Sequence, residues 1–124
     1  MKIVATIEAR MTSSRLPGKP MMEVCGRPIL GHLVDRLKAV ESIDVIVLAT
    51  TTNHTDDVMA DYASSIGIEV FRGDEDDVMG RVVNAGKSVD ADVIVEITGD
   101  CPIIDPEIIE QAIRVYRENT YDYV

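Results

Sequence analysis

The chain has 124 residues, enough for one domain and no more, and a chain of that size buries roughly two thirds of the surface its unfolded form exposes. Hydrophobic residues make up 46% and aromatics only 4%, with no Trp, so the core must come from Val, Ile, Leu, Ala and Met, which suits parallel strands and helices better than an aromatic-built sandwich. The formal net charge of −10, from 22 acidic and 12 basic residues, argues against nucleic acid or an anionic membrane as a partner.

Lys2–Ile7 is a short β-branched run that reads as a first strand. From Pro28 to about Val40, Ile29, Leu30, Leu33, Leu37 and Val40 recur at helical spacing, with Pro28 at the first helical position. Asp44–Thr50 is a continuous apolar run, as a strand covered on both faces requires. Thr55–Ile66 reads as a helix, with Asp56 and Asp57 in its first turn, where the helix dipole favours acids, and Gly67 as its C-terminal cap. Ile68–Phe71 is a short strand. About Asp76 to Val89 is a helix with Val78, Met79, Val82, Val83 and Gly86 on one side, and Asp92–Ile97 is a further strand. Asp105-Pro106-Glu107 opens the last helix as N-cap, first position and dipole partner, and Ile108, Ile109, Ala112, Ile113 and Tyr116 form its apolar face.

This β-α-β-α-β-α-β-α alternation predicts an α/β fold, a parallel sheet with helices on both faces and right-handed crossovers. The expected strand order is 3-2-1-4, with a switch point between the first and fourth strands. A ligand is expected there, at the carboxyl ends of the strands, where loops follow Ile7, Thr50, Phe71 and Thr98. No repeat, low-complexity segment or linker interrupts the pattern, so residues 1–124 read as a single domain. Met1 leads straight into a strand pattern without a signal peptide, and the apolar runs are too short to cross a bilayer, so the cytoplasm is the expected location. Cys25 and Cys101 lie far apart, with neither metal-ligand spacing nor a disulfide framework, and read as reduced thiols.

Arg10, Arg15, Lys19 and Arg27 fall in one stretch whose only acid is Glu23, a positive island that suits a small anionic ligand. The loop Ala9–Lys19 is long, rich in hydroxyls and basic, and it follows the first strand directly. Its backbone N–H groups and hydroxyls can cradle phosphate oxygens, with Arg15 bonding through two parallel hydrogen bonds and Lys19 acting as a point charge. The alternative is an ordinary solvated βα loop. Gly18-Lys19 lacks the upstream Gly and following Ser or Thr of a P-loop, and no G-x-G-x-x-G occurs, which disfavours a dinucleotide oxidoreductase. In Thr98-Gly99-Asp100-Cys101-Pro102, Asp100 lies just beyond the fourth strand; its carboxylate is either a Mg²⁺ ligand or a turn former bonded to its own backbone. The acidic run Asp74-Glu75-Asp76-Asp77 reads as a solvated loop leading into a helix rather than a metal site. His32 and His54 have no visible Ser or Cys partner for a nucleophilic triad, and Met21, Met22, Met59 and Met79 read as core filler.

The stretch ARMTSSRLPGKP resembles the signature loop of the cytidylyltransferases that make CMP-sugars, the group that includes the Kdo and sialic acid activating enzymes. Within that group it is most similar to the spore coat polysaccharide biosynthesis F-type proteins. GRPILGHLVDRL, IVLATTTN, FRGDEDDVMGR and VEITGDCPIIDPEII agree in the same order, so the resemblance covers essentially the whole chain. It implies a Rossmann-like nucleotide-diphosphosugar transferase fold, three-layer α/β/α and truncated. It also implies CTP as substrate, with phosphates along Arg10, Ser13, Ser14, Arg15 and Lys19, and Ala49-Thr50-Thr51 flanking the base with Arg72 and Arg81 near the nucleotide. Asp100 becomes the Mg²⁺ ligand by the same resemblance, and Asp105 a helix cap. UTP or GTP on the same fold is the alternative; loops of that kind usually open with paired glycines, where this one has Ala9-Arg10.

The implied reaction is nucleotidyl transfer. A sugar or sugar-acid hydroxyl attacks the α-phosphorus and pyrophosphate leaves, with catalysis by Arg15, Lys19 and Asp100 through positioning and charge neutralisation and no covalent intermediate. Members of the group resemble this chain over their first half only; their remainder carries the sugar pocket, the rest of the sheet, a further acidic ligand and much of the dimer contact. The sequence ending at Tyr121-Asp122-Tyr123-Val124 thus reads as the N-terminal half, with an open sheet edge that favours homo-oligomers. An inactive nucleotide-binding or assembly module is the reading from outside enzymology.

Overall fold

The computed structural model describes residues 1–124. Four long strands form one parallel sheet: β1 (Ile3–Glu8), β4 (Val45–Thr51), β5 (Glu69–Gly73) and β6 (Val93–Thr98), in the spatial order β5-β4-β1-β6. This is the expected 3-2-1-4 order. Four helices connect or follow them: α1 (Ile29–Lys38), α2 (Asp57–Ser65), α3 (Val78–Ser88) and α4 (Pro106–Glu118).

Side-chain alternation along the central strand sets the layers, because successive residues of a strand point to opposite faces. Ile3, Ala5 and Ile7 of β1 pack with Leu30, Leu33 and Leu37 of α1, Met59 and Ala63 of α2, and Ile109 and Ile113 of α4. Val4 points the other way and meets Val47, Ala49 and Ala85 of α3. Buried on both faces, β1 needs a near-continuous apolar run, and Ile3 to Ile7 are all fully buried. Two acids pin the register at the amino end: Asp44 accepts the Ile3 N–H at 2.7 Å and Asp92 the Lys2 N–H at 2.6 Å. The chain runs outward from β1 to β4 and β5, then returns through α3 to β6 on the other side of β1. The carboxyl ends of β1 and β6, paired at Glu8 and Thr98, therefore flank the switch point.

Several local expectations change. A short hairpin, β2 (Glu23–Val24) with β3 (Arg27–Pro28), precedes α1; its turn, Cys25-Gly26, has φ of 52° and 75°, the left-handed pair that two-residue hairpins favour. Pro28 is the N-cap of α1 rather than its first helical residue. α3 starts at Val78 because Asp77 caps it, accepting the Gly80 N–H at 2.9 Å, and its inward face is Arg81, Val82, Ala85 and Gly86, leaving Val78 and Met79 exposed. α4 is capped by Asp105 and opened by Pro106 as expected, yet only Ile109 and Ile113 are buried on it, while Ile108 and Ala112 face outward. No helix is long and apolar enough to cross a membrane.

Candidate functional site

The Ala9–Lys19 loop leaves β1 and returns on itself. Ala9 is buried, and the Gly18 N–H donates to the Met11 carbonyl at 2.8 Å, closing the excursion. Gly18 holds φ 76°, a left-handed value that suits Gly, and the chain then enters a single 3-10 turn, Lys19–Met21, with Pro20 buried in its first turn. The closed loop sends Arg10, Ser13, Ser14, Arg15 and Lys19 into one cleft of about 410 Å³. The far wall is Thr98-Gly99-Asp100, and Glu8 and Ala9 lie between the two walls. Gly99 permits that closeness: its N–H donates to the Glu8 carbonyl at 2.8 Å, and a Cβ there would stand 2.7 Å from the Ala9 Cβ.

Electrostatics favour an anion in this cleft. Asp100 faces Lys19 at 3.6 Å with its side chain 53% exposed. The Thr98 hydroxyl and then the Lys19 ammonium hold the Asp100 carboxyl below the usual carboxylate range, so it is ionised at neutral pH. Glu8 is offset by Arg81, whose guanidinium donates to it at 2.6 Å. With Asp100 paired to Lys19, Arg10 and Arg15 give the cleft a positive excess on a chain of net charge −10.

The structure thus brings together Arg10, Ser13, Ser14, Arg15, Lys19 and Asp100. Thr50, Thr51 and Arg72, expected to flank the base and nucleotide, lie outside this cleft, and Arg81 meets it through Glu8. Thr50 and Thr51 are fully buried, and the Thr51 hydroxyl donates to Asp56. Arg72 donates to the Thr51 carbonyl at 2.7 Å and the Asn53 carbonyl at 2.8 Å, and pairs with Asp57 at 2.6 Å. Arg81, fully buried, donates to the carbonyls of Asp74 and Glu75 at 2.9 and 2.8 Å. Thr51, Arg72 and Arg81 are thus bonded within the chain and brace the loops around the cleft, whereas the buried Thr50 hydroxyl has no partner. Sequence reading placed Thr98 in the second constellation without a role of its own and gave Glu8, Asp56 and Glu75 no part in the site. Thr98 and Glu8 were reachable from the expectation that strand ends line the site; Asp56 and Glu75 looked like dipole partner and solvated acid.

No three His, Cys, Asp or Glu side chains converge as a ready cation site. Mg²⁺ needs only one or two carboxylates when phosphate oxygens and waters complete its octahedron, and an ionised, half-exposed Asp100 at the edge of a cationic cleft fits that demand.

Residues 4–124 match the profile of a family described as Cytidylyltransferase. Over 124 residues the chain is 41% identical to an uncharacterised protein of Methanocaldococcus jannaschii, covering all of this chain and 51% of the relative. It is 35% identical to the spore coat polysaccharide biosynthesis protein SpsF of Bacillus subtilis, covering 98% of this chain and 52% of that protein. Among solved structures, a cytidylyltransferase from Leptospira borgpetersenii superposes with a TM-score of 0.92 at 38% identity, over 97% of this chain and 50% of the other. A CMP:2-keto-3-deoxy-manno-octonic acid synthetase complexed with CTP superposes with a TM-score of 0.83 at 29% identity, over 96% of this chain and 48% of the other. The chain spans about half the length of the curated relatives it matches.

Proposed function

The chain belongs to the cytidylyltransferase family, and from that premise we propose that its cleft binds the triphosphate of CTP for transfer of CMP to a sugar or sugar-acid hydroxyl. The observation that carries the proposal is the convergence of Arg10, Ser13, Ser14, Arg15 and Lys19 opposite Asp100 at the switch point of the sheet. In this reading the acceptor hydroxyl attacks the α-phosphorus and gives up its proton to solvent, the bond from the α-phosphorus to the bridging oxygen breaks, and pyrophosphate departs with that oxygen. Arg15 and Lys19 offset charge building on that leaving group, Arg15 as a fork and Lys19 as a point charge. The serine hydroxyls donate to phosphate oxygens and fix their orientation. A magnesium ion held by Asp100 and phosphate oxygens would supply further charge neutralisation at the α-phosphate. The similarity to a CTP-bound synthetase and to SpsF supports cytidine over uridine or guanosine, and a CMP-sugar for surface polysaccharide as the product.

Calorimetric titration with CTP, UTP, GTP and ATP, with and without Mg²⁺, tests the reading. CTP is expected to bind best and to need Mg²⁺. Arg15→Ala and Asp100→Ala are each expected to weaken it about tenfold or more, the magnitude of one charge-assisted hydrogen bond. Equal binding of all four nucleotides, or an unchanged affinity in both variants, refutes it.

A further inference from the structure

Two acids support the cationic loop from below, where the phosphate reading gives them no task. Asp56 is fully buried. One of its oxygens accepts the Met11 N–H at 2.7 Å and the other the Thr51 hydroxyl, whose oxygen accepts the Asn53 N–H at 3.1 Å. Glu75 approaches from the loop after β5. It accepts the Thr12 hydroxyl at 2.6 Å and the Asn53 side-chain amide at 3.2 Å, and its own carbonyl is held by Arg81. Consecutive loop residues are thus gripped from the turn that enters α2 and from the loop after β5, at the point where the excursion closed by Gly18 begins. In each contact a backbone N–H, a hydroxyl or a side-chain amide is the donor and a carboxyl oxygen the acceptor.

We propose that Asp56 and Glu75 are positioning residues, a two-carboxylate clamp on Met11 and Thr12 that sets the conformation of the Ala9–Lys19 loop for the nucleotide phosphates without touching them. The clamp rests on the nucleotide reading for its purpose, though its effect on the loop is measurable without nucleotide. A preordered loop spares the ligand the entropy of organising it, so losing the clamp weakens binding even though no ligand contact is removed. Charge alone predicts the opposite sign at Glu75: removing a negative side chain from beside an anionic ligand tightens binding.

The test combines hydrogen exchange of the loop amides in the free chain with CTP titration in Mg²⁺, for Glu75→Ala, Asp56→Ala and Asp56→Asn. Glu75→Ala lies at the periphery and is expected to keep a cooperative unfolding transition, to exchange faster at residues 10–16, and to bind CTP about tenfold more weakly. Asp56→Ala is expected to do the same more strongly. Asp56→Asn, whose carbonyl still accepts from Met11 but whose amide reverses the bond to Thr51 and leaves that buried hydroxyl without its acceptor, is expected to lose less loop protection and affinity than Asp56→Ala. Unchanged loop exchange in Glu75→Ala, or tighter CTP binding in it, overturns the clamp. If Asp56→Ala does not fold, Glu75→Ala carries the same decision. If the wild-type chain binds no CTP, the proposed function fails on its own, and loop exchange in the three variants still judges the clamp.

Discussion

Arg81 puts a guanidinium in the interior, where a charge is costly unless paired and hydrogen-bonded. Its partners are Glu8 and the carbonyls of Asp74 and Glu75, while its Nε has none. Arg81→Met removes three hydrogen bonds and leaves Glu8 without its counter-charge in the lining of the cationic cleft. The expected cost is about 3 kcal/mol, the low end for breaking a buried pair because Glu8 retains some solvent. Pairing it with Glu8→Gln should recover part of that loss; urea denaturation of the single and double variants measures both, and a purely additive double variant would show that the pair is not coupled. Arg81 also marks the limit of reading single residues from sequence. Arg10 to Lys19 were legible because one contiguous loop carries them. The partners of Thr51, Arg72 and Arg81 lie in other elements, and nothing in a one-dimensional pattern says that a Thr at a strand end will donate its hydroxyl to a buried Asp five residues on.

At the scale of elements, periodicity identified every long strand and helix because each has to bury an apolar stripe, and the boundaries fell within two residues. What periodicity could not supply was how much of each stripe finds a neighbour. Leu37 is fully buried between α1 and the sheet, whereas Ile108, placed on the apolar face of α4 by the same spacing rule, is 60% exposed. Leu37→Ala is therefore expected to cost about 2–5 kcal/mol and Ile108→Ala about 0.5 kcal/mol or less, measured as shifts in urea midpoint. A comparable loss at both positions would mean that Ile108 is covered in solution. The hairpin of β2 and β3 escaped for the converse reason: its two-residue strands bury little, and its only signal was Cys25-Gly26, a turn dipeptide outside the common Asn-Gly pattern.

For the molecule as a whole, acidity and carboxylate pairing act on stability in opposite directions as pH falls. A net charge of −10 makes the folded chain repel itself near neutrality, so acidification towards pH 5 relieves repulsion, and salt does the same by screening. Four carboxyls work the other way, each lowered from its ordinary value: Asp35 by Arg27, Glu75 by the Thr12 hydroxyl and Asn53, Asp100 by the Thr98 hydroxyl and Lys19, and Glu110 by the Ser42 hydroxyl. A folded-state pKa below the unfolded one means that the unfolded chain takes up protons first. The stabilisation these groups give is complete above the ordinary carboxylate range, whose reference values are 3.8 for Asp and 4.5 for Glu, and is lost as pH falls through the lowered values. The melting temperature is therefore expected to be flat or to rise gently from pH 8 to about 5, then to fall below about 4.5 as the paired carboxyls titrate. Added salt should raise it at pH 7 and matter less near pH 5. Substituting Ser42→Ala and Thr12→Val together should make the decline below pH 4.5 shallower, since it removes the donors that favour ionised Glu110 and Glu75. Calorimetric scans across that range decide the matter: an acid limb as steep in the double variant as in the wild type would show that the net positive charge gained below the isoelectric point of about 4.5, and not the paired carboxylates, governs it.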